Sequence, residues 1–303
     1  MGLIVTRASL VLLASLLSVP ALAEGAAPAL ELQPGAAHPG DLVMVTVRGW
    51  APCPSATLGE RPLRFYEIPG GCRALVGLTV EQQAGPLEVR LRAPGDAGED
   101  LVLGTLEVLP PNFNVRELRV ARKFIKPSPA QVRQRRADQR AFEKAWAQPF
   151  IPPLFTADFV VPIDSEVTAP FGDLRTFNGK KQSQHYGMDL DGRIGDPIRA
   201  ANDGVVVMVR KNFASGNTVL LHHGAHLFTA YFHMSKMLVK PGQKVKQGER
   251  IGLVGKTGRV TGPHLHFGCK VDGLWVDPAS LLAMKFGAPA MLVVEPASVQ
   301  RPK

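Results

Sequence analysis

Between Val205 and Val271 apolar runs of strand length follow one another with glycine turns between them, and no stretch of helical period interrupts. The runs are Val205 to Val209, Thr218 to Leu221, Phe228 to Phe232, Arg250 to Val254 and His264 to Val271. Strand-length runs bounded by turn residues specify a sheet, and the short connections specify antiparallel neighbours. This half of the chain is therefore expected to be an antiparallel β-sheet.

The last run begins Gly262-Pro263-His264-Leu265-His266-Phe267 and ends at an Asp272-Gly273 turn, the pattern of a strand feeding a hairpin. Side chains alternate faces along a strand, so His264 and His266 point one way, with Leu265 and Phe267 the other. Paired imidazoles are costly to bury unless each nitrogen has a partner, and a metal ion is a strong one. Upstream, His185 and Asp189 are four residues apart, which puts them on one face of either a strand or a helix, and Gly187 between them favours strand or loop. Two imidazoles and a carboxylate leave a fourth zinc position open, as in catalytic sites. His233, in Tyr231-Phe232-His233-Met234, adds another imidazole at the end of an apolar run.

His185-x-x-x-Asp189, Tyr231-x-His233 and His264-x-His266, in that order, resemble the lysostaphin-type (LytM, M23 family) zinc metallopeptidases of bacterial cell walls. The likeness runs roughly from residue 165 to 282 and includes GDPIRAANDGVVV, GNTVLLHHG and VKPGQKVKQGERIGLVGKTGRVTGPHLHF. The resemblance implies a groove over a Zn2+ ion held by His185, Asp189 and His266, with His264 and His233 serving as general base and oxyanion stabiliser, the two roles unassigned between them. It implies peptidoglycan as partner, and hydrolysis of peptide bonds in stem peptides or cross-links. The alternative is a non-catalytic, wall-binding regulator of amidases, a role some relatives fill after losing zinc ligands. No H-E-x-x-H occurs, so a glutamate base on a zinc-binding helix is excluded. VKPGQKV with Gly248 also resembles carrier-domain turns, but that reading gives no reason for the histidine motifs.

The chain opens with Arg7, an apolar stretch from Leu10 to Leu17 and an Ala21-Leu22-Ala23 cleavage pattern. Residues 1–23 are expected to be a signal peptide, and the mature protein periplasmic or secreted, without stable membrane insertion after cleavage. The net charge of +9 favours polyanions, and no nucleic-acid motif accompanies it, so acidic wall polymers are the expected partners rather than nucleic acid.

Residues 24–112 read as a small β-sandwich punctuated by turns at Pro39-Gly40-Asp41, Pro69-Gly70-Gly71 and Pro94-Gly95-Asp96, with no catalytic constellation in it. Cys53 and Cys72 are placed to pair in an oxidising compartment, and Cys269 is left as a packed thiol facing away from His264 and His266. Residues 113–155 read as a basic connector whose helix starts at the capping box Ser128-Pro129-Ala130-Gln131 and carries Val132, Phe142 and Trp146 on one stripe. Resting near the groove, that helix would limit access to it. Residues 156–286 are the peptidase-like domain and 287–303 a tail. His222 and His226 mimic metal spacing but sit where a strand enters a turn, and are expected to be structural or exposed. Asp191 shares the face of Asp189, and Arg175 and Asn178 fall at the expected groove edge.

Overall fold

The computed structural model describes residues 29–92, 101–179 and 181–287. The signal peptide assigned to 1–23 lies outside them, as does the tail from residue 288. The architecture is mainly β, with a two-sheet N-terminal unit, a helix, and a large antiparallel sheet. No helix among the described residues is long and apolar enough to cross a membrane.

In the N-terminal unit a four-stranded sheet, in the order Ala29–Gln33, Leu42–Arg48, Gly71–Gly77, Tyr66–Ile68, faces a five-stranded one containing Ser55–Leu58, Gly85–Arg92 and Leu101–Val108. Val43, Val45 and Val47 meet Leu58, Val89, Leu91 and Leu106 between the sheets. Cys53 and Cys72 form a disulfide there. The strand Leu42–Arg48 has no solvent face. Its alternate residues Leu42 and Met44 join Tyr66 and Leu75 in the core of the C-terminal half, beside Val276, Leu281 and Met284. Backbone contacts complete the junction: Asp277 donates its N–H to Gly40 O at 2.7 Å, and Leu42 donates to Ser280 Oγ at 2.9 Å.

The central sheet has eight strands. Its path runs Val167–Ala169, Met188–Asp191, His264–Val271, Leu227–Met234, Gly216–His222, Gly204–Asn212 and Lys244–Val245, with Leu274–Val276 pairing alongside His264–Val271. Alternation along these strands produces two unlike faces. Val219, Leu221, Tyr231, Leu265 and Phe267 fill the main core. Leu220, Ala230 and Phe232 face the other way, under the helix Pro129–Trp146. Cys269 is fully buried on the core face, and burial pushes its thiol pKa up. Arg250–Leu253, expected among the strands of this sheet, pairs instead with Pro197–Arg199 and Lys236–Met237 in a small separate sheet.

The helix begins at the capping box, Ser128 and Gln131 exchanging side-chain-to-backbone bonds. Trp146 packs edge-on to Phe228 and Trp275, at centroid distances of 5.2 and 5.6 Å. Asp138, buried, accepts from Phe213 N at 2.7 Å and from Arg210 at 3.2 Å. The connector is more than a helix: Val115–Leu118 is a strand parallel to Leu174–Phe177, which pairs in turn with Lys181–Gln184. That three-stranded sheet stands beside the exposed end of the central one and forms a wall of the cleft described next.

Candidate metal centre

Register alone brings three of the sequence-selected residues together. Met188–Asp191 and His264–Val271 are antiparallel neighbours in which Asp189 lies opposite His266 and Asp191 opposite His264. Directly opposed residues share a face. On the other flank Phe232 lies opposite His266, so the candidate donors occupy the same face as the helix, at the end the helix leaves open. His185 comes from the turn before the sheet; its N–H bonds Asp173 O at 2.9 Å and its ring Nδ1 donates to Pro170 O at 2.6 Å. With Nδ1 occupied, Nε2 carries the lone pair.

That Nε2 lies 3.1 Å from Asp189 Oδ1 and 2.9 Å from His266 Nδ1, and the latter two atoms are 2.7 Å apart. His185, Asp189 and His266 are the group of potential ligands that converges in this way among the described residues. Three electron-pair donors aimed at one point repel unless a cation lies between them, and two imidazoles with one carboxylate are a zinc-type set. The donor chemistry therefore fits a divalent metal. Burial, outweighing the Asp189 carboxylate beside it, pushes His266 down to about 4, which keeps its ring neutral and able to coordinate. Burial would raise Asp189, but the two imidazoles crowded against it, His185 and His266, together hold its carboxyl well below the usual carboxylate range.

Two residues outside the expected donor set, Arg175 and Gly187, keep it in place. Arg175 Nη2 bonds Asp189 Oδ2 at 2.7 Å, taking the oxygen that points away from the histidines. Gly187 lies against His266: a Cβ there would sit 2.5 Å from its Nε2 and 2.7 Å from Phe267 O. In the sequence Gly187 signals only strand or loop, and the folded register reveals which ring needs the room. Asn178, also at the expected groove edge, bonds Val120 through both ends of its amide and braces the wall.

His233 and His264 stand beside the donors. Their ring centroids are 5.1 Å apart, and His233 is 6.0 Å from His266. His233 has the left-handed backbone φ of 62°, a strained conformation for this residue type, fixed by bonds from its N–H to Ser215 O and from its Nδ1 to Thr257 O. Burial, then the charges of His266 and His264, hold its pKa well below the ordinary imidazole value. His264 Nδ1 donates to Gly262 O at 3.0 Å, and its Nε2 is 3.7 Å from Asp189 Oδ1. Both rings thus spend Nδ1 on the backbone and keep Nε2 free of it. Above lies a cleft of about 510 Å³ whose lining includes Arg116, Tyr186, Asp191, Ser215 and Thr261.

The other histidine cluster stays apart from this centre. His223 is fully buried between Asp203 O and Thr229 Oγ1, and His226 bonds Asp272 and Gln148 O. His222 is buried and stacks on Phe228 at 4.5 Å. All three are structural and none is exposed.

The family model of peptidase family M23 matches residues 183–278. The peptidoglycan DD-endopeptidase ShyA of Vibrio cholerae is 49% identical over 110 residues, which are 36% of this chain and 24% of that protein. The DD-carboxypeptidase/endopeptidase Mpg of Neisseria meningitidis is 40% identical over 97 residues, 32% of this chain and 22% of that protein. The matched segment thus spans about a quarter or less of these relatives' length. Among solved structures, an M23-type protein from Pseudomonas aeruginosa superposes with a TM-score of 0.61 at 27% identity, over 80% of this chain and 94% of that one.

Proposed function

We propose, from the premise that residues 183–278 are an M23 peptidase domain, that this protein is an exported zinc metalloendopeptidase that hydrolyses peptide bonds in peptidoglycan stem peptides or cross-links. The observation that carries the reading is the meeting of His185 Nε2, Asp189 Oδ1 and His266 Nδ1 at one point, on the floor of a cleft. These three would hold the ion. When bound, zinc supplies Lewis acidity, lowering the pKa of water toward neutrality and polarising a carbonyl.

The remaining work falls to the chain. Asp189 brings negative charge to the donor set, and Arg175 keeps its second oxygen occupied so that the first stays aimed. His233 and His264, each with Nδ1 bonded to a backbone carbonyl, act as a pair on the reacting peptide. One takes the proton of the attacking water at Nε2 and passes it to the departing amine nitrogen, while the other, carrying a proton on Nε2 as well as Nδ1, donates to the oxygen on which charge develops. The wall built from Val115–Leu118 and Leu174–Phe177 confines an extended peptide to the cleft.

The wall polymer as substrate places the mature protein in the periplasm or outside the cell, where the Cys53–Cys72 disulfide persists. A regulator that holds no metal would have no use for three converging donors and two further imidazoles. Digestion of purified sacculi, followed by mass analysis of the muropeptides, tests the assignment. Cross-linked species should decline with the untreated protein, persist after chelation and decline again when zinc is restored. Unchanged cross-linking in all three samples would overturn it.

A further inference from the structure

The arginines of the cleft are not equivalent. Arg116 is paired with Asp173 and Arg175 with Asp189. Arg259 has neither an acidic partner nor a side-chain hydrogen bond among the described residues, although it also lines the cleft and is half-buried. Its guanidinium carbon lies over the Phe177 ring, 4.5 Å from the centroid, and its backbone N–H is fixed to Ala214 O at 2.7 Å. Stacking of this kind holds the plane and leaves the N–H edge free to bond.

Asp191 lines the same cleft, but no carboxylate of the described residues comes within 4.0 Å of that edge. Burial lowers the pKa of Arg259, and the nearby charges of Arg175 and of Arg135, on the connector helix, lower it further. A half-buried cation among cations is unfavourable in the free protein, and the deficit is made good by an incoming anion. The site sits one short loop before Gly262-Pro263-His264, so an anion held there lies on the substrate's own path past the donor residues.

We propose that Arg259, held over Phe177 and unpaired in the wall of the metal cleft, receives a free carboxylate of the peptide substrate and selects for stem peptides that carry one. The proposal rests on the peptidase reading above. A planar guanidinium offers two parallel N–H donors to a carboxylate, a geometry that neither an amidated peptide nor a lysine reproduces. Arg175 and Arg135 contribute field rather than contact. Arg259 is thus a specificity residue, and the chemistry at the metal does not pass through it.

The test compares a synthetic stem peptide as the free acid with the same peptide fully amidated, both by calorimetric binding and by hydrolysis. The full-length protein should bind and cleave the free acid better, by on the order of tenfold to a hundredfold, the usual worth of a charged hydrogen bond. In Arg259→Gln the preference should fall to near unity, mainly through KM, while zinc content stays that of the unmodified protein. Arg259→Lys, which keeps the charge and the fold, should recover only part of it. The same free-acid preference in Arg259→Gln, or no preference in the unmodified protein, would overturn the proposal. A binding preference that Arg259 controls, in a protein that cleaves neither peptide, would sustain the subsite and sink the peptidase reading. Cleavage of both peptides at equal rates would do the reverse.

Discussion

Arg175 Nη2 and Asp189 Oδ2 are 2.7 Å apart, so the carboxylate whose other oxygen faces two histidines is clamped from behind by a cation. Without the clamp the carboxylate turns freely about its last bond, and the donor triangle loses a fixed vertex. Outer partners of this sort are worth about 10–100-fold in metal affinity. Arg175→Gln should lower zinc affinity by that factor in a competition assay with a fluorescent chelator. Its far-ultraviolet dichroism should stay unchanged. Undiminished affinity would remove Arg175 from the site.

His185→Ala or Asp189→Ala deletes a donor, whereas His264→Ala leaves all three in place. The first two proteins should lose bound metal and hydrolysis together. The third should keep its metal and lose about 100- to 10,000-fold in hydrolysis, the range of a general acid–base contribution. Metal analysis by plasma mass spectrometry, run beside the sacculus assay, separates these outcomes. Full activity in His264→Ala would take that residue out of the mechanism.

Gly187→Ala tests the room that His266 needs. The added methyl meets the ring at 2.5 Å, closer than real Cβ contacts come, and the ring must swing away from Asp189. Metal content should fall while the melting temperature moves by only a few degrees. Retention of stoichiometric zinc would show that the loop, rather than the ring, gives way.

The junction between the two halves carries a pair of carboxylates. Burial pushes Asp277 up to about 6, with a further rise from the charge of Asp41, itself raised by burial. Between about pH 4 and 6 the folded protein holds a proton that the unfolded chain has released, so stability falls as pH rises through that window. Asp277 is part-exposed, so we expect roughly 1 to 2 kcal/mol of effect rather than the full value of the shift. Asp277→Asn keeps the helix cap to Ala279 N and drops the charge. Its melting temperature should exceed that of the unmodified protein at pH 7 and match it at pH 4. Equal values at both pH values would contradict the account.

The face shared by His264 and His266 is legible from strand alternation, because two residues apart on a strand is one face whatever the fold around it. The same rule sets Cys269 on the opposite side from the imidazoles in a way that depends on reading the strand through Gly268, and there it is buried in the main core. Other relationships depend on register across long separations. Asp189 and His266 are opposite each other over 77 positions of chain, and nothing local encodes which residues align. The sequence puts Arg175 at the groove edge without naming its partner, since that partner is chosen by the wall strand's position. Val115–Leu118 carries two charged residues in four and exposes Val115, so its periodicity is weak, and only its docking makes it a strand. Leu42 to Val47 did carry a readable signal. A strand apolar at nearly every position is one with no wet side.

That doubly covered strand has a practical consequence. Cutting the gene near residue 112, between the N-terminal unit and the connector, would strip the C-terminal half of Leu42, Met44, Tyr66 and Leu75 and lay bare the oily patch they cover. A truncated protein prepared in that way would aggregate for want of its own floor. The N-terminal half is better treated as part of the body of the molecule, inherited and engineered together with it.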